Sequence, residues 1–201
     1  MDEGYIKFKA VWKNMPPPTP AELSDLPFWR DAAHRQGLIG VYGNGTGYGN
    51  ISRRLGEGGS FVITGSATGH RPTLEAAHFT TVTGVDVDRN TVYCEGPVIA
   101  SSESMSHAVV YQSSQKVNGV IHAHHAGLWE YLLGKVPTTG QEATYGTPEM
   151  ARSIIGLFER TNVAEQKIFV MEGHPEGIFT FGQNLREALR VLELWLEKVL
   201  N

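Results

Sequence analysis

The stretch Asn118-Gly119-Val120-Ile121-His122-Ala123-His124-His125 sets an apolar, β-forming run directly ahead of three imidazoles, and it reads as a buried strand that ends in polar side chains. Alternate residues of a strand project to the same face, so His122 and His124 share one, with Cα atoms roughly 6.5–7 Å apart. Two imidazoles so placed can converge on one metal ion; polar groups satisfied by their neighbours at a strand end are the other reading of the pair alone. His125 points the other way or opens the next helix, and is not counted as a ligand.

Upstream, Ala100-Ser101-Ser102-Glu103-Ser104-Met105-Ser106-His107 leads into Ala108-Val109-Val110-Tyr111, which puts the serines where a helix begins with unpaired N–H groups. Serine there commonly serves as a cap. The functional reading is that Ser101 and Ser102 also hold a phosphate at the positive end of that helix, with Glu103 facing inward on its first turn. Phe79 to Val87 and Thr91-Val92-Tyr93-Cys94, joined by Asp88-Arg89-Asn90, make an antiparallel hairpin pattern, so the sheet is expected to be mainly antiparallel. Phe61-Val62-Ile63-Thr64 is another strand, and it empties into the hydroxyl-rich Gly65-Ser66-Ala67-Thr68-Gly69. The glycine-dense Gly43-Asn44-Gly45-Thr46-Gly47-Tyr48-Gly49-Asn50-Ile51-Ser52 suits a loop whose N–H groups approach an anion, although a mobile turn has the same composition. It is neither a P-loop nor a dinucleotide fingerprint.

Further elements follow from caps and periodicity. Asp25 and Pro27 open a first helix that stops at Gly37, and Pro148 opens another over 147–160. Lys167 to Met171 is a strand, Glu172-Gly173-His174-Pro175-Glu176-Gly177 a turn, and Ile178 to Gly182 the returning strand. Asn184 caps a final helix, Leu185 to Leu200. Residues 1–20, ending in Met15-Pro16-Pro17-Pro18-Thr19-Pro20, are expected to form an extended arm that cannot be helical at its end, with the domain proper running from 21 to 201.

Composition narrows the partners. With 201 residues, 41% hydrophobic and 19% charged, the chain can bury one substantial core. A net charge of −4, without a Lys/Arg run interleaved with aromatics, argues against nucleic acid. One cysteine, Cys94, excludes an intrachain disulfide and a multi-Cys zinc site, so any metal must use mainly His and carboxylate. No apolar run is long enough to span a bilayer and Met1 to Lys13 has no signal-like core, which gives the expectation of a soluble, cytoplasmic protein without membrane partners.

In the order Gly49-Asn50-Ile51-Ser52, Ser101-Ser102-Glu103, His122-Ala123-His124 and Gly173-His174 before a glycine, the chain resembles the class II aldolase/adducin family, from about Ala21 to the C-terminus. The resemblance implies a single three-layer α/β/α domain around a mostly antiparallel sheet, assembled as a four-fold homotetramer with active sites between subunits. It also implies one Zn2+ or related divalent ion per subunit, held by His122, His124 and His174, with Glu103 as a further ligand or as acid/base. By the same transfer Gly49, Asn50, Ser66, Ser101 and Ser102 line a phosphate pocket.

Three neutral imidazoles leave Zn2+ its double charge and an open position, so it can take a ketone and hydroxyl oxygen pair and stabilise an enediolate, while Glu103 shuttles a proton. The expected function is therefore a metal-dependent lyase, an aldolase or dehydratase, on a small phosphorylated keto-sugar or related keto compound. A sugar-phosphate epimerase, or a non-catalytic metabolite-binding or assembly module, are the alternatives. Departures from the fuculose-phosphate-type aldolases are a shorter connection between the histidine strand and Tyr145-Gly146-Thr147-Pro148-Glu149, no placed counterpart of their proton-donating tyrosine, and Ala100 where proline is common. Tyr145 is a candidate active-site wall or replacement acid, and His107 a residue behind the ligands or in the core rather than a fourth ligand.

Overall fold

Backbone hydrogen bonding in the computed structural model, which describes residues 5–200, defines strands β1 (Lys9–Asn14), β2 (Gly40–Val41), β3 (Gly47–Tyr48), β4 (Asn50–Leu55), β5 (Ser60–Thr64), β6 (Phe79–Asp86), β7 (Thr91–Gly96), β8 (Gly119–His124), β9 (Ile168–Val170) and β10 (Gly177–Gly182). The helices are α1 (Pro20–Leu23), α2 (Leu26–Arg35), α3 (Ser104–Ser113), α4 (Ala126–Leu132), α5 (Pro148–Arg160), α6 (Val163–Gln166) and α7 (Leu185–Leu200). Among the described residues, eight strands form one sheet in the order β1-β7-β6-β5-β4-β8-β10-β9, and β2 pairs with β3 separately. Within the large sheet every pairing is antiparallel except β1 with β7.

The period-two alternation of the central strands sorts their side chains into two cores. Phe61, Ile63, Val120, Phe179 and Phe181 face α3 and α5, whereas Ile51, Val62, Ile121, Ala123 and Ile178 face the side covered by α2, α4 and α7. Both faces are covered, so the sheet is the middle of three layers, as the family resemblance implies. Among the described residues no helix is long and apolar enough to cross a membrane.

Local chemistry fixes the element ends. Thr147 Oγ1 accepts from Met150 N with Pro148 in the first turn of α5, and Asn184 Oδ1 accepts from Glu187 N at the start of α7. Asp25 stands at the start of α2 without capping it; its carboxylate takes the Trp29 indole N–H at 2.7 Å instead. The buried Arg54 of β4 closes the far end of α3, donating to the carbonyls of Tyr111 at 2.6 Å and Ser114 at 2.8 Å, which ties that helix to the sheet.

The N-terminal segment departs from the expected arm. Lys9–Asn14 pairs with β7 over six residues, and Phe8 just before it is buried in the α3/α5 core. The proline tract also ends in a helix. Pro20 is tolerated in the first turn of α1, where its missing N–H would be unpaired anyway, and Thr19 and Glu22 form a reciprocal capping box. If this segment belongs to the cooperative unit, Phe8→Ala should cost about 3 kcal/mol in chemical denaturation. A loss within error of zero would make residues 5–14 an appendage.

Candidate metal centre and anion cavity

Sheet register builds the centre. Asn50 of β4 is opposite His122 of β8, which is in turn opposite Phe179 of β10, so the three side chains stand abreast on the face toward α3. His124 projects from the same face one repeat further on, opposite Gly177. A Cβ at Gly177 would be 2.6 Å from the His174 ring and 3.2 Å from that of His122, so the glycine leaves the space that the third imidazole occupies. His174 arrives on the turn between β9 and β10, its N–H bonded to Met171 O and its carbonyl to Gly177 N. Gly173 has no alternative there, since a Cβ would be 2.2 Å from Ala143 O.

The ring nitrogens of His122, His124 and His174 lie within 4.8 Å of one another, and all three residues are buried. Burial, with the neighbouring imidazoles, holds His122 and His124 well below the ordinary histidine range, and burial with the charge of Lys7 takes His174 down to about 3. All three are therefore neutral at pH 7, the form that binds metal. Tautomer chemistry agrees for His124. Tyr42 Oη lies 2.7 Å from Glu176 Oε2 and 2.9 Å from His124 Nδ1. The phenol donates its one proton to the carboxylate and accepts from Nδ1–H, leaving the His124 Nε2 lone pair directed at His122 Nε2, 3.0 Å away. Nitrogens about 2.0–2.1 Å from one tetrahedral Zn2+ stand roughly 3.3 Å apart, close to the 3.0 Å between His124 Nε2 and His122 Nε2, so that pair already stands at the spacing such an ion needs.

Glu103 occupies the N-cap position of α3 and is buried; Ser106 Oγ donates to its Oε2 at 2.7 Å, while Oε1 has no hydrogen-bond partner among the described residues. Burial pushes this carboxyl up to about 7 against the opposing pull of the Ser106 bond and the Lys7 charge. The group of ring nitrogens that converges within 4.8 Å does not include it. Helix α3 starts two residues after the expected serines, with no side-chain cap, so neither Ser101 nor Ser102 spends its hydroxyl capping the helix.

Gly49, Asn50, Ser66, Ser101 and Ser102 line one cavity of about 260 Å³, joined by Thr68, Tyr48 and Tyr5. No Lys or Arg is among its lining residues, so its donors are neutral N–H and O–H groups. Gly49 has φ +72°, and a Cβ would be 2.9 Å from Leu38 O, so this turn toward β4 admits only glycine without strain. Asn50 is oriented from behind. Its Oδ1 can only accept, so His107 Nε2–H donates to it at 2.7 Å, His107 Nδ1 accepts from Ser52 Oγ at 2.7 Å, and Ser52 Oγ accepts from Tyr111 Oη at 2.7 Å. His107 is thus a buried residue behind the cavity, as expected, and His125 caps α4 by accepting from Leu128 N. Tyr145 is buried with its ring 4.7 Å from that of His174.

Tyr42, Glu176, Tyr5 and Lys7 were missed from sequence. Glu176, between His174 and Gly177, carried a local signal, a carboxylate inside a histidine turn. The other three reach the site only through pairing of distant segments.

Comparison with known proteins agrees with this architecture. A sequence profile described as the Class II Aldolase and Adducin N-terminal domain matches residues 40–200. Among solved structures, the chain is similar to an L-fuculose 1-phosphate aldolase at 21% identity, covering 91% of this chain and 84% of that one with TM-score 0.66. It is similar to the L-fuculose-1-phosphate aldolase from Thermus thermophilus at 21% identity, covering 89% and 91% with TM-score 0.61. A sugar-phosphate aldolase from Thermotoga maritima matches at 14% identity, covering 89% and 92% with TM-score 0.64. At these identities the likeness to the solved structures is one of fold.

The His107 network gives a pH signature. Burial holds that imidazole down at about 3, against about 6.5 in the unfolded chain, so between these values only the unfolded state binds the proton and stability falls as pH drops. At pH 5 this contribution is about 2 kcal/mol. His107→Gln should therefore be less stable than wild type at pH 7.5, with the gap narrowing by about 2 kcal/mol at pH 5. A gap independent of pH, measured by denaturant unfolding, would mean that His107 titrates normally in the fold.

Proposed function

The chain belongs to the class II aldolase and adducin family, and on that premise we propose that it is a metal-dependent lyase, an aldolase or dehydratase, for a small phosphorylated keto-sugar or related keto compound. The observation that carries this reading is the juxtaposition, through the Asn50–His122 pair, of three convergent neutral imidazoles with a cavity of neutral donors. His122, His124 and His174 hold the divalent ion, and an all-imidazole donor set suits Zn2+. When bound, the ion supplies positive charge that polarises a ketone and hydroxyl oxygen pair on the substrate.

The remaining roles belong to the chain's own side chains. Glu103, outside the convergent set, moves the proton at its open Oε1; a carboxyl poised near neutrality can both take and return it. The N–H and O–H groups of Gly49, Asn50, Ser66, Ser101 and Ser102 bind the phosphate, and His107 turns the Asn50 amide so that its NH2 end is the donor available to the cavity. Tyr145 walls the metal side. The family resemblance supports a homotetramer with sites at subunit interfaces, and the buried free thiol of Cys94 suits a reducing cytoplasm.

Purified protein should carry about one divalent ion per chain, and His122→Ala or His124→Ala should abolish stoichiometric metal; full retention in elemental analysis would falsify the ligand assignment. Ser102→Ala should raise KM for a phosphorylated substrate about tenfold while changing a dephosphorylated analogue far less, since a hydrogen bond to an ionised acceptor contributes about 1.5–3 kcal/mol. Product analysis on a panel of ketose phosphates identifies the reaction: aldehyde release or dehydration fits the proposal, and epimer formation would replace it.

A further inference from the structure

Arg30 of α2 is a fully buried cation that belongs neither to the lining of the anion cavity nor to the histidine cluster. Its guanidinium meets the loop of residues 65–69, all of which line the cavity. Nη2 donates to Thr68 O at 3.2 Å and Nη1 to Asp31 Oδ1 at 3.3 Å, while Nε has no partner among the described residues. The charge is thus paired, and what reaches the loop is a directed hydrogen bond. An apolar side chain of similar volume would fill this space without the desolvation cost of a guanidinium, but it would give Thr68 O no donor.

The loop depends on such holds. Ala67 has φ +58°, a left-handed conformation that a Cβ disfavours. Gly65 N donates to His78 O and Ser66 N to Ile99 O, which anchors the start of the loop, and Thr68 Oγ1 closes it by donating to Gly65 O at 2.9 Å. At the far end Thr68 O accepts from Arg30 and also from Arg71 N at 3.2 Å. A Cβ at Gly69 would be 2.2 Å from Gly40 O, so the glycine lets this end press against β2. Among the described residues the N–H groups of Ala67, Thr68 and Gly69 donate to no protein acceptor. The Thr68–Gly69 peptide is trans, so its C=O and N–H point opposite ways. With the carbonyl drawn toward α2, the Gly69 N–H is directed away from that helix.

We propose that Arg30 is a positioning residue of the anion cavity: by holding Thr68 O from behind, it presents the Gly69 N–H to the phosphate of the substrate. Successive N–H groups of a turn converge on one anion without a lining Lys or Arg. A main-chain donor held in place before the ligand arrives needs no reorganisation on binding. Without Arg30 the peptide is freer to rotate, and every orientation that turns the N–H aside weakens the site. Arg30 acts only through this peptide and touches no substrate.

The inference rests on the phosphate-cavity reading, and the measurements separate the two. Inorganic phosphate is titrated calorimetrically into the protein as purified, and the Gly69 amide is followed in the proton–nitrogen correlation spectrum of deuterated protein. Wild type should bind phosphate with a downfield shift of the Gly69 amide proton. Arg30→Met should weaken phosphate about tenfold and abolish that shift with metal content unchanged, and Arg30→Lys, which keeps a donor, should bind to within about threefold of wild type. Unchanged phosphate affinity in Arg30→Met assigns the residue to stability alone and overturns the role. Loss of metal together with phosphate, or no recovery with lysine, overturns it as well. Should Arg30→Met not fold, the wild-type spectrum decides: phosphate binding that leaves the Gly69 amide unshifted overturns the inference while the cavity reading stands. Wild-type protein that binds no phosphate overturns the cavity reading, and the inference with it.

Discussion

The antiparallel register of β4, β8 and β10 is the constraint on which the site depends. It sets Asn50, His122 and Phe179 abreast and leaves Gly177 opposite His124. A slip of one residue in either pairing would turn the imidazoles toward the opposite face, where Ile51, Ile121 and Ile178 form an apolar core. The hydrophobic alternation that forbids such a slip therefore also secures the histidines. Burial of the two cores and placement of the donor set are one event.

Buried polar chains then fix orientation where register only fixes position. Tyr111, Ser52, His107 and Asn50 form a run in which each donor has an acceptor, linking the interior of α3 to the lip of the cavity. Tyr42 and Glu176 do the same for His124 from the other direction. Glu103 is held less completely. One of its oxygens is satisfied by Ser106 and the other is not, and a buried carboxylate left half-satisfied is costly unless a ligand completes it.

The first strand shows how a segment outside the profile match reaches the candidate site. Parallel pairing of β1 with β7 brings the preceding residues alongside the loop that carries Tyr145 and Gly146, so the edge of the sheet and the wall of the site are continuous. Cavity and histidine cluster meet at the Asn50–His122 pair.

Sequence alone determined much of this. Period-two alternation around His122 and His124 marked their strand and common face; the hairpin of β6 and β7 and the caps at Thr147 and Asn184 were legible because they involve residues a few positions apart. The candidate set of His122, His124, His174, Glu103 and the glycine and serine loops was legible as ordered motifs of a family; the structure brings the three imidazoles together and sets the loops around one cavity. Local rules could not show that Lys9–Asn14 is a strand, since its partner lies about eighty residues away and its mixed composition suits an edge as well as an arm. Nor could they find Tyr42 behind His124, Lys7 over Tyr145 or His107 behind Asn50. Those contacts join segments separated by 57 to more than 100 residues, and only the packed tertiary structure, which excludes water and makes an unpaired buried donor costly, decides which of them meet.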